Sequence, residues 1–412
     1  MAEPIPTRDK IIDAAFSFYR KPVFTNISLS QIAQKVGISK AAIFKHFPRK
    51  ASIRQAMNAR MFDGIAGVVR RMLECYENGK RIEAMSLAVD FLADHREYVM
   101  YFQSQQCIAD EGVFIGELRK RGIRIFDSFF GADGSVKDID LYVTSIFAGT
   151  TIFIFTLLRF EALDTNAPGI VDSAEFADKL ASLIENGIGK NMPEPKRLSE
   201  LDARLKSAMR REAPLNDEIL ALASVVSEYG AAGITIERLA KKLHLAKSSL
   251  YSRYKNKSEM VESLIKNEVL RMYGMIVKNM SGVTKPEECT YAVLETELLY
   301  FIKYPETVDI CSSLIGMNDF FDRAEAPDFI DAIYDSAHWK RFVASLPDIG
   351  MPPTARRIFG WFFASVVTMF IHFRRRGFSN RCMFAALKKI YAMTESGIDK
   401  RTSLKRRRSP PH

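Results

Sequence analysis

The two halves of the chain carry the same sequence pattern. Residues 32–50 read IAQKVGISKAAIFKHFPRK and residues 239–257 read LAKKLHLAKSSLYSRYKNK, and these segments align without a gap at an offset of 207. A weaker match between residues 147–160 and 363–376 follows at an offset of 216. The repeating unit is therefore about 200 residues long, far longer than the unit of a solenoid protein. The sequence predicts two copies of a whole protein joined in one chain.

The composition is that of an ordinary globular protein. Of the 412 residues, 47% are hydrophobic and 26% are charged, which provides material for more than one core. The net charge of +10 favours an anionic partner such as nucleic acid. The five cysteines are scattered and form no C-x-x-C pair, which is typical of reduced thiols in the cytoplasm. Residues 1–10 are polar and contain two prolines, unlike a signal peptide, so we expect a cytoplasmic protein.

One apolar run is long enough to raise the question of a membrane. Leu141 to Leu158 is a stretch of 18 residues without a charge, at the lower limit for a membrane-spanning helix. A second apolar stretch, at residues 358–373, occupies the corresponding place in the other half. The repeat favours two halves of one buried interface over two membrane spans, and no membrane partner is expected.

The remaining sequence has helical periodicity. Apolar residues recur at spacings of three and four, as in Ile11, Ile12, Ala15 and Phe18, and convincing alternating strands are absent from the pattern. The fold class is therefore predicted to be all-α. Between the halves, residues 193–213 place apolar side chains on one stripe of a helix, which predicts a linker helix. The stripe comprises Leu198, Leu201, Leu205 and Met209.

Residues 28–50 have the pattern of a helix-turn-helix. Ser28 is a good N-cap for a short helix, and Gly37 suits the left-handed conformation that ends it. Ile38 fills the turn, and Ser39 caps a second short helix that ends before Pro48. In this motif the second helix enters the major groove of DNA. Residues 235–257 repeat the plan, with Thr235 as the first cap and Leu245 in the turn.

The outward face of each second helix is basic, and its residues are the candidate DNA contacts. Short side chains at Ala41 and Ala42 allow close approach to base edges, while Lys40 suits guanine or phosphate and Lys50 suits a phosphate. The candidates in the first copy are Ser28, Ser39, Lys40, Ala41, Ala42, Phe44, Lys45, His46 and Lys50. The candidates in the second copy are Thr235, Lys247, Ser248, Ser249, Tyr251, Ser252, Arg253 and Lys257.

Both segments resemble the DNA-binding domain of the TetR family of bacterial regulators. The family pattern has I-L-x-A-A in a first helix, Ser or Thr opening the second, then G-V-S-x-x-x-L-Y-x-H-F and a downstream lysine. The first copy has IIDAA at residues 11–15, Ser28, GIS at residues 37–39, IFKHF at residues 43–47 and Lys50. The second copy has Gly230, Thr235, Leu250, Tyr251, Tyr254 and Lys257.

The two copies depart from the family pattern at three places. The glycine that precedes the second helix is Val23 in the first copy, although Gly230 is present in the second. The turn glycine becomes His244 in the second copy, where a left-handed conformation would cost about 1 kcal/mol or more. The histidine of the H-F pair becomes Arg253. We therefore expect the two copies to differ in their DNA binding.

The resemblance implies two tandem TetR-like units, each with an N-terminal three-helix domain followed by a helical regulatory and dimerisation domain. The first unit is expected to comprise a DNA-binding domain at residues 1–55 and a regulatory domain at residues 56–192. The second comprises a DNA-binding domain at residues 214–262 and a regulatory domain at residues 263–400. The linker covers residues 193–213, and a basic tail covers residues 401–412.

In such proteins the last two helices of each unit form a two-fold interface. The resemblance therefore implies that the halves pair within one chain on double-stranded DNA. The unlike recognition surfaces predict a non-palindromic operator. The alternative is that each half pairs with the same half of another chain in a larger assembly. A small-molecule effector is implied as well, and the candidate ligand residues are His95, Tyr98, Phe102 and Tyr304.

Other classes of function have less support in the sequence. The six histidines are dispersed, and no H-E-x-x-H, G-x-S-x-G, Walker loop or paired-cysteine site is present, so no enzymatic activity, cofactor or metal is expected. Two alternatives stay open beside a sequence-specific repressor. One is a non-specific DNA binder driven by charge, and the other is a regulator that works through protein contacts.

Overall fold

The computed structural model describes most of the chain. The described residues are 6–19, 27–104, 111–128, 130, 135–164, 166, 169–188, 192–230, 233–283, 285–312, 349–350 and 355–398. Within them the structure is all-α, and the only β feature is one isolated bridge between Phe130 and Val136. Val23 and the basic tail at residues 401–412 lie outside the described residues.

The helices follow one another with short connections. Those of the first half are α1 (Thr7–Ser17), α2 (Leu29–Val36), α3 (Lys40–His46), α4 (Lys50–Glu77), α5 (Arg81–Asp94), α6 (Arg96–Ser104), α7 (Glu111–Lys120), α8 (Ile139–Asp164) and α9 (Ser173–Asn186). Those that follow are α10 (Pro195–Arg210), α11 (Asp217–Tyr229), α12 (Ile236–Lys242), α13 (Lys247–Tyr251), α14 (Lys257–Met280), α15 (Pro286–Lys303), α16 (Val308–Ser312), α17 (Ala355–Arg375) and α18 (Asn380–Ser396). Single 3-10 turns cover Ile125–Ser128 and Pro305–Thr307.

The chain forms two compact units, Met1–Ser128 and Phe129–His412. The boundary between them falls inside residues 56–192, the segment that the sequence predicted as one regulatory domain. In the first unit, α1, α2 and α3 pack around a core that includes Ile11, Ile43 and Phe47. The long helix α4 leads from this domain to α5, and α7 packs against α4.

The second unit combines the last two helices of the first half with the whole second half. Helix α8 packs along α17, and α18 packs against both α8 and α9. The indole Nε1 of Trp361 on α17 donates to Oγ1 of Thr151 on α8 at 2.9 Å, and the Trp361 ring packs edge-on against Phe155 at 5.3 Å. These four helices are the pairs that the repeat placed at the end of each half.

The ends of α9 and α18 cross in a reciprocal arrangement. The amide of Ile188 donates to the carbonyl of Thr394 at 2.8 Å, and the amide of Ile398 donates to the carbonyl of Ile184 at 3.0 Å. An offset of 210 relates both members of the first bond to those of the second. The two halves therefore meet through the same surface, as the subunits of a two-fold dimer do.

Glycines make this crossing possible. A Cβ atom on Gly187 would lie 2.6 Å from the carbonyl carbon of Glu395, and one on Gly397 would overlap the backbone of residues 185–186. Both glycines also have positive φ, 64° and 75°, a region that other residues enter only with strain. The Gly-Ile pair that ends each half is thus required by close backbone approach.

Helix α8 is the one described helix that is long and apolar enough to cross a membrane by its length and composition. Most of its apolar 18-residue window is buried within the protein. Tyr142 and Phe155, for example, are fully covered. The charge-free run predicted as one side of a buried interface therefore packs against protein.

The predicted linker helix forms, but it is more than a spacer. Helix α10 buries Leu201, Leu205 and Met209 against α15 of the second unit. Apolar residues at spacings of four thus cover a neighbouring helix. The segment between the halves is consequently part of the second unit's core.

Candidate nucleic-acid interface

The first helix-turn-helix is closed by hydrogen bonds that its sequence encodes. The Ser28 hydroxyl accepts from the amide of Gln31, while the Gln31 side chain accepts from the amide of Ser28, which completes a capping box. Gly37 ends α2 with φ 77°, in the left-handed region that glycine enters without strain. The amide of Ile38 then donates to the carbonyl of Ala33 at 3.0 Å, and Ile38 packs against the core.

Helix α3, the second helix of the first motif, exposes most of the residues that the sequence proposes as DNA contacts. The Ser39 hydroxyl accepts from the amide of Ala42 at 3.1 Å, and Ile43 is fully buried beneath the helix. Ala42 is half-buried beside it. The exposed residues of this helix are Lys40, Ala41, Phe44, Lys45 and His46. Phe44 is 44% exposed, an unusual position for a large apolar side chain that covers no core.

Lys50 lies at the start of α4, where amide groups of the first turn also point outward. Partial burial, followed by the neighbouring Arg54, lowers the pKa of the Lys50 ammonium. Positive side chains and free amides together attract an anion. This position suits the predicted phosphate contact.

The second copy keeps the turn without its glycine. Thr235 caps α12 by accepting from the amide of Arg238 at 3.2 Å. His244 has φ 54°, so it adopts the left-handed conformation that Gly37 has in the first copy. The amide of Leu245 donates to the carbonyl of Ala240 at 2.9 Å, which matches the bond from Ile38 to Ala33. The backbone of the turn is therefore the same in both copies.

Two features of the second copy differ from the sequence-based expectation. Leu245 was expected to fill the turn, but its side chain is 38% exposed, so the backbone bond closes the turn instead. Recognition helix α13 spans only Lys247–Tyr251, and its N-cap residue Ala246 offers no side-chain acceptor. The second recognition helix is shorter and less well capped than α3.

The candidate contacts of the second copy lie mostly on one exposed face. Leu250 is buried beneath α13, while Ser249 and Lys257 are half-buried. The exposed candidates are Lys247, Ser248, Tyr251, Ser252 and Arg253. Tyr251 is 53% exposed and occupies the place of Phe44, so each copy has one exposed aromatic ring on this face.

Ion pairs distinguish the two basic faces. Lys247 pairs with Glu237 at 2.5 Å, and Arg253 pairs with Glu218, which also accepts from the hydroxyl of Tyr254 at 3.0 Å. At the offset of 207, the first copy has Ser30 and Ile11 in place of these acids. Among the described residues, Lys40 and Lys45 form no ion pair. Glu237 is the one acid that the sequence places within residues 235–257, but its pairing with Lys247 was not predicted. Glu218 was missed because it lies outside the motif.

Two of the four candidate ligand residues occupy corresponding positions in the two halves. His95 ends α5 and Tyr304 ends α15, with φ of −124° and −125°. The His95 ring stacks on Tyr98 at 4.6 Å, and burial raises the pKa of the Tyr98 hydroxyl.

Phe102 and Tyr304 are placed in aromatic surroundings. Phe102 packs against Phe62 and Phe114 at 6.4 and 5.5 Å. Tyr304 is 3% exposed, and its hydroxyl donates to the carbonyl of Ala213. Within the described residues, no group of three or more His, Cys, Asp or Glu side chains is arranged to hold a metal ion.

Comparison with protein families decides what the two motifs are. The family model for the N-terminal domain of bacterial regulatory proteins, tetR family, matches residues 11–57 and again residues 219–264. The chain belongs to the TetR family. It is a DNA-binding transcriptional regulator with two tandem TetR units, from a family whose members are regulators and typically dimerise. No curated protein matches the chain. We call residues 11–57 the first head and residues 219–264 the second head.

Proposed function

We propose that this TetR-family chain is a sequence-specific repressor that binds a non-palindromic operator as a single-chain pseudo-dimer. The observation that carries the proposal is the reciprocal pair of backbone bonds between residues 184–188 and 394–398. A two-fold contact of this kind uses the same patch on both partners. Because both patches belong to one chain, the pairing surface of each half is already occupied.

The unlike recognition faces support a non-palindromic site. The first head presents Lys40, Phe44 and Lys45, whereas the second presents Lys247, Tyr251 and Ser252. Different side chains bond different base edges, so two half-sites of different sequence are expected. Two-fold regulators place their recognition helices about one DNA turn apart, roughly 34–36 Å, and we expect the half-sites at that spacing.

We further propose that the protein responds to a small-molecule effector and acts in the cytoplasm. Support for an effector comes from the aromatic clusters around His95, Tyr98 and Phe102 in the first half and around Tyr304 in the second. Aromatic walls with a few polar groups are typical of small-molecule sites.

Selection from a random DNA library tests the proposal. The full-length protein is incubated with random duplexes at about 0.15 M salt, where non-specific binding is weak. Two unlike half-sites about one turn apart are the expected result. A palindrome would point to pairing between chains through one kind of head. Enrichment of no motif would contradict specific recognition and leave charge-driven binding or protein contacts as the function.

A glycine substitution tests the pseudo-dimer itself. Gly397→Ala adds a Cβ that would overlap the backbone of residues 185–186, whereas the Cβ of Gly377→Ala, also at a positive φ of 72°, would enter open space. Both changes strain a backbone of positive φ, and Gly397, with φ 75° and ψ −178°, lies in a region that is essentially restricted to glycine. Only the first change disturbs the crossing. We expect Gly397→Ala to lose affinity for the complete operator and Gly377→Ala to keep it. Equal affinities would show that the crossing is not needed.

A further inference from the structure

We infer that Lys303 and Tyr304 are positioning residues for the second head, and that they act through the segment between the halves. The inference rests on the proposed function, since it assigns a role in operator binding to residues that do not face DNA. Both residues lie at the C-terminal end of α15, in the regulatory part of the second unit. They bind the chain just before it enters α11, the first helix of the second head.

Helix α10 is fixed to the second unit along its length. The Arg197 guanidinium donates two bonds to the buried carboxylate of Glu288, at 3.1 and 3.0 Å. Further along, Arg204 donates to the carbonyls of Ser281 and Asn279 at the end of α14, at 3.0 and 2.6 Å. These bonds satisfy carbonyl groups that a helix end leaves free.

The exit from α10 is held by the two proposed positioning residues. The Lys303 ammonium donates to the carbonyls of Met209 and Glu212 at 2.7 and 2.6 Å, and more weakly to that of Arg210 at 3.3 Å. A cation there also complements the negative end of the helix dipole. The hydroxyl of Tyr304 donates to the next carbonyl, that of Ala213.

Only a short connection separates these anchors from the second head. Asn216 caps α11 by accepting from the amide of Ile219 at 2.8 Å, three residues after Ala213. Helix α11 also packs against the Pro305–Thr307 turn and α16, the elements that directly follow Tyr304. The second head is therefore tied to the end of α15 both through its incoming chain and through its first helix.

The same position in the first half is built differently. Asp94 and His95 stand at the end of α5, where Lys303 and Tyr304 stand at the end of α15. An acidic side chain at position 94 could not donate to backbone carbonyls. The donors that anchor the exit from α10 at the end of α15 therefore have no equivalent at the end of α5.

Tyr304 links these anchors to the interior of the regulatory part. Its ring lies 4.3 Å from the Arg271 guanidinium, which pairs with the buried carboxylate of Glu268. Glu268 in turn accepts from the hydroxyl of Tyr300. A rearrangement of this buried network would change the position of Tyr304 and hence the support of the second head.

Hydrogen exchange of the DNA-free, full-length protein tests the anchors directly. Lys303→Met removes three bonds to the exit segment, and Tyr304→Phe removes one hydroxyl while it keeps the ring. We expect amides of residues 215–222 to exchange about ten-fold faster in Lys303→Met, with a smaller effect in Tyr304→Phe. Lys388→Met is the control, because Lys388 binds Asp202 in the middle of α10 at 3.1 Å. Unchanged exchange in both variants would overturn the inference, whatever the protein binds.

The dependence of affinity on the spacing between half-sites separates a positioning role from a merely structural one, because loss of stability alone would not change the preferred spacing. The selected operator is remade with one to five base pairs inserted between its half-sites, and affinity is measured for wild type, Lys303→Met, Lys388→Met and the conservative Lys303→Arg. Wild type and Lys388→Met should lose affinity steeply with altered spacing, because a fixed head cannot follow its half-site around the DNA. Lys303→Met should lose far less, and Lys303→Arg should restore the discrimination.

The outcomes separate this inference from the proposed function. If wild type selects no operator, the proposed function fails, and the exchange measurement still decides whether Lys303 and Tyr304 anchor the head. If wild type selects two half-sites but Lys303→Met discriminates spacing as sharply as wild type does, the positioning role is wrong while the proposed function stands.

Discussion

The first head and the second head share a backbone and differ in charge. Gly37 and His244 both take the left-handed conformation, with φ of 77° and 54°, and each turn is closed by an equivalent amide-to-carbonyl bond. On the recognition faces, Lys247 and Arg253 are held by acids of the second head, whereas Lys40 and Lys45 form no ion pair among the described residues. Duplication has preserved the geometry of the motif while its surface has diverged.

This difference has a consequence for how DNA is bound. A lysine that is already paired must leave its carboxylate before it contacts a base or a phosphate, so its net contribution is smaller. Exposed ion pairs are individually weak, so they should lower the affinity of the second head for DNA without abolishing it. We expect the first head to contribute more of the affinity for the operator.

The largest expected effect comes from removing the buried residue beneath each recognition helix. Ile43 and Leu250 are both fully buried, and truncation of such a side chain costs about 2–5 kcal/mol. Ile43→Ala and Leu250→Ala should each destabilise their own head, as measured by urea unfolding and by hydrogen exchange of that head. A much smaller loss for Leu250→Ala would show that the short helix α13 contributes little to the second core.

Substitution of the leading lysines tests the difference in charge. Lys40→Ala should weaken operator binding by about 1–3 kcal/mol if Lys40 contacts a base, and Lys247→Ala should weaken it less because Lys247 is paired with Glu237. Fluorescence anisotropy on the selected operator measures both losses. Equal losses would remove the proposed inequality of the heads.

Substitutions of the acidic partners test the same difference in charge between the two heads. Glu237→Gln frees Lys247 and removes a negative charge near the DNA, so affinity should rise a few-fold and depend more strongly on salt. Ser30 occupies the corresponding position in the first head, and Ser30→Glu should lower affinity there. An unchanged affinity in both variants would indicate that these acids do not influence DNA binding.

The two halves also differ in their buried acids, which predicts a dependence of stability on pH. Burial, followed by the neighbouring Asp202, raises the pKa of Glu295 from 4.5 to about 9. Burial also raises the pKa of Glu297, whose carboxyl has no hydrogen-bond partner. When the ends of α5 and α15 are aligned, the first half has Ser86 and Ala88 at the positions of Glu295 and Glu297.

The direction in which the free energy of unfolding changes with pH follows from which state, folded or unfolded, binds more protons. Between pH 4.5 and about 9 Glu295 retains a proton in the folded protein that it releases in the unfolded chain, so stability falls as pH rises through this window, by at most about 1.4 kcal/mol per pH unit. Burial would raise the pKa of Asp202, but interactions with Glu295, Tyr291 and Lys388 outweigh it and lower this pKa to about 2. The titration of Asp202 therefore affects stability only at pH values below the window of Glu295. Urea unfolding at several pH values should show a shallower slope for Glu295→Gln, and an unaltered slope would contradict this assignment.

The smallest expected effect concerns the turns. His244→Gly relieves a left-handed histidine but adds chain entropy to the unfolded state, so a gain of about 1 kcal/mol or less is expected. Gly37→Ala should cost about 1 kcal/mol from its conformation alone, because its Cβ would meet no atom within 4 Å. Thermal unfolding measures both changes. A destabilised His244→Gly would mean that the histidine side chain has a role of its own.

Local signals in the sequence determined much of this protein. The gapless repeat fixed the register of the two motifs, and the caps at Ser28, Ser39 and Thr235 form as predicted. The stripe from Leu201 to Met209 predicted α10. These features depend on residues three or four positions apart, whose contacts follow from helix geometry itself.

Tertiary structure alone decided the features that distinguish the halves. Glu218 meets Arg253 across 35 residues, Lys303 reaches the end of α10 across 94, and Ile188 meets Thr394 across the whole second half. No local pattern encodes these pairs, because each depends on how separate helices pack and which side chains they bring together. The sequence by itself therefore determined that the chain holds two TetR units, and their packing decided that the units differ in surface charge and in how the second head is held.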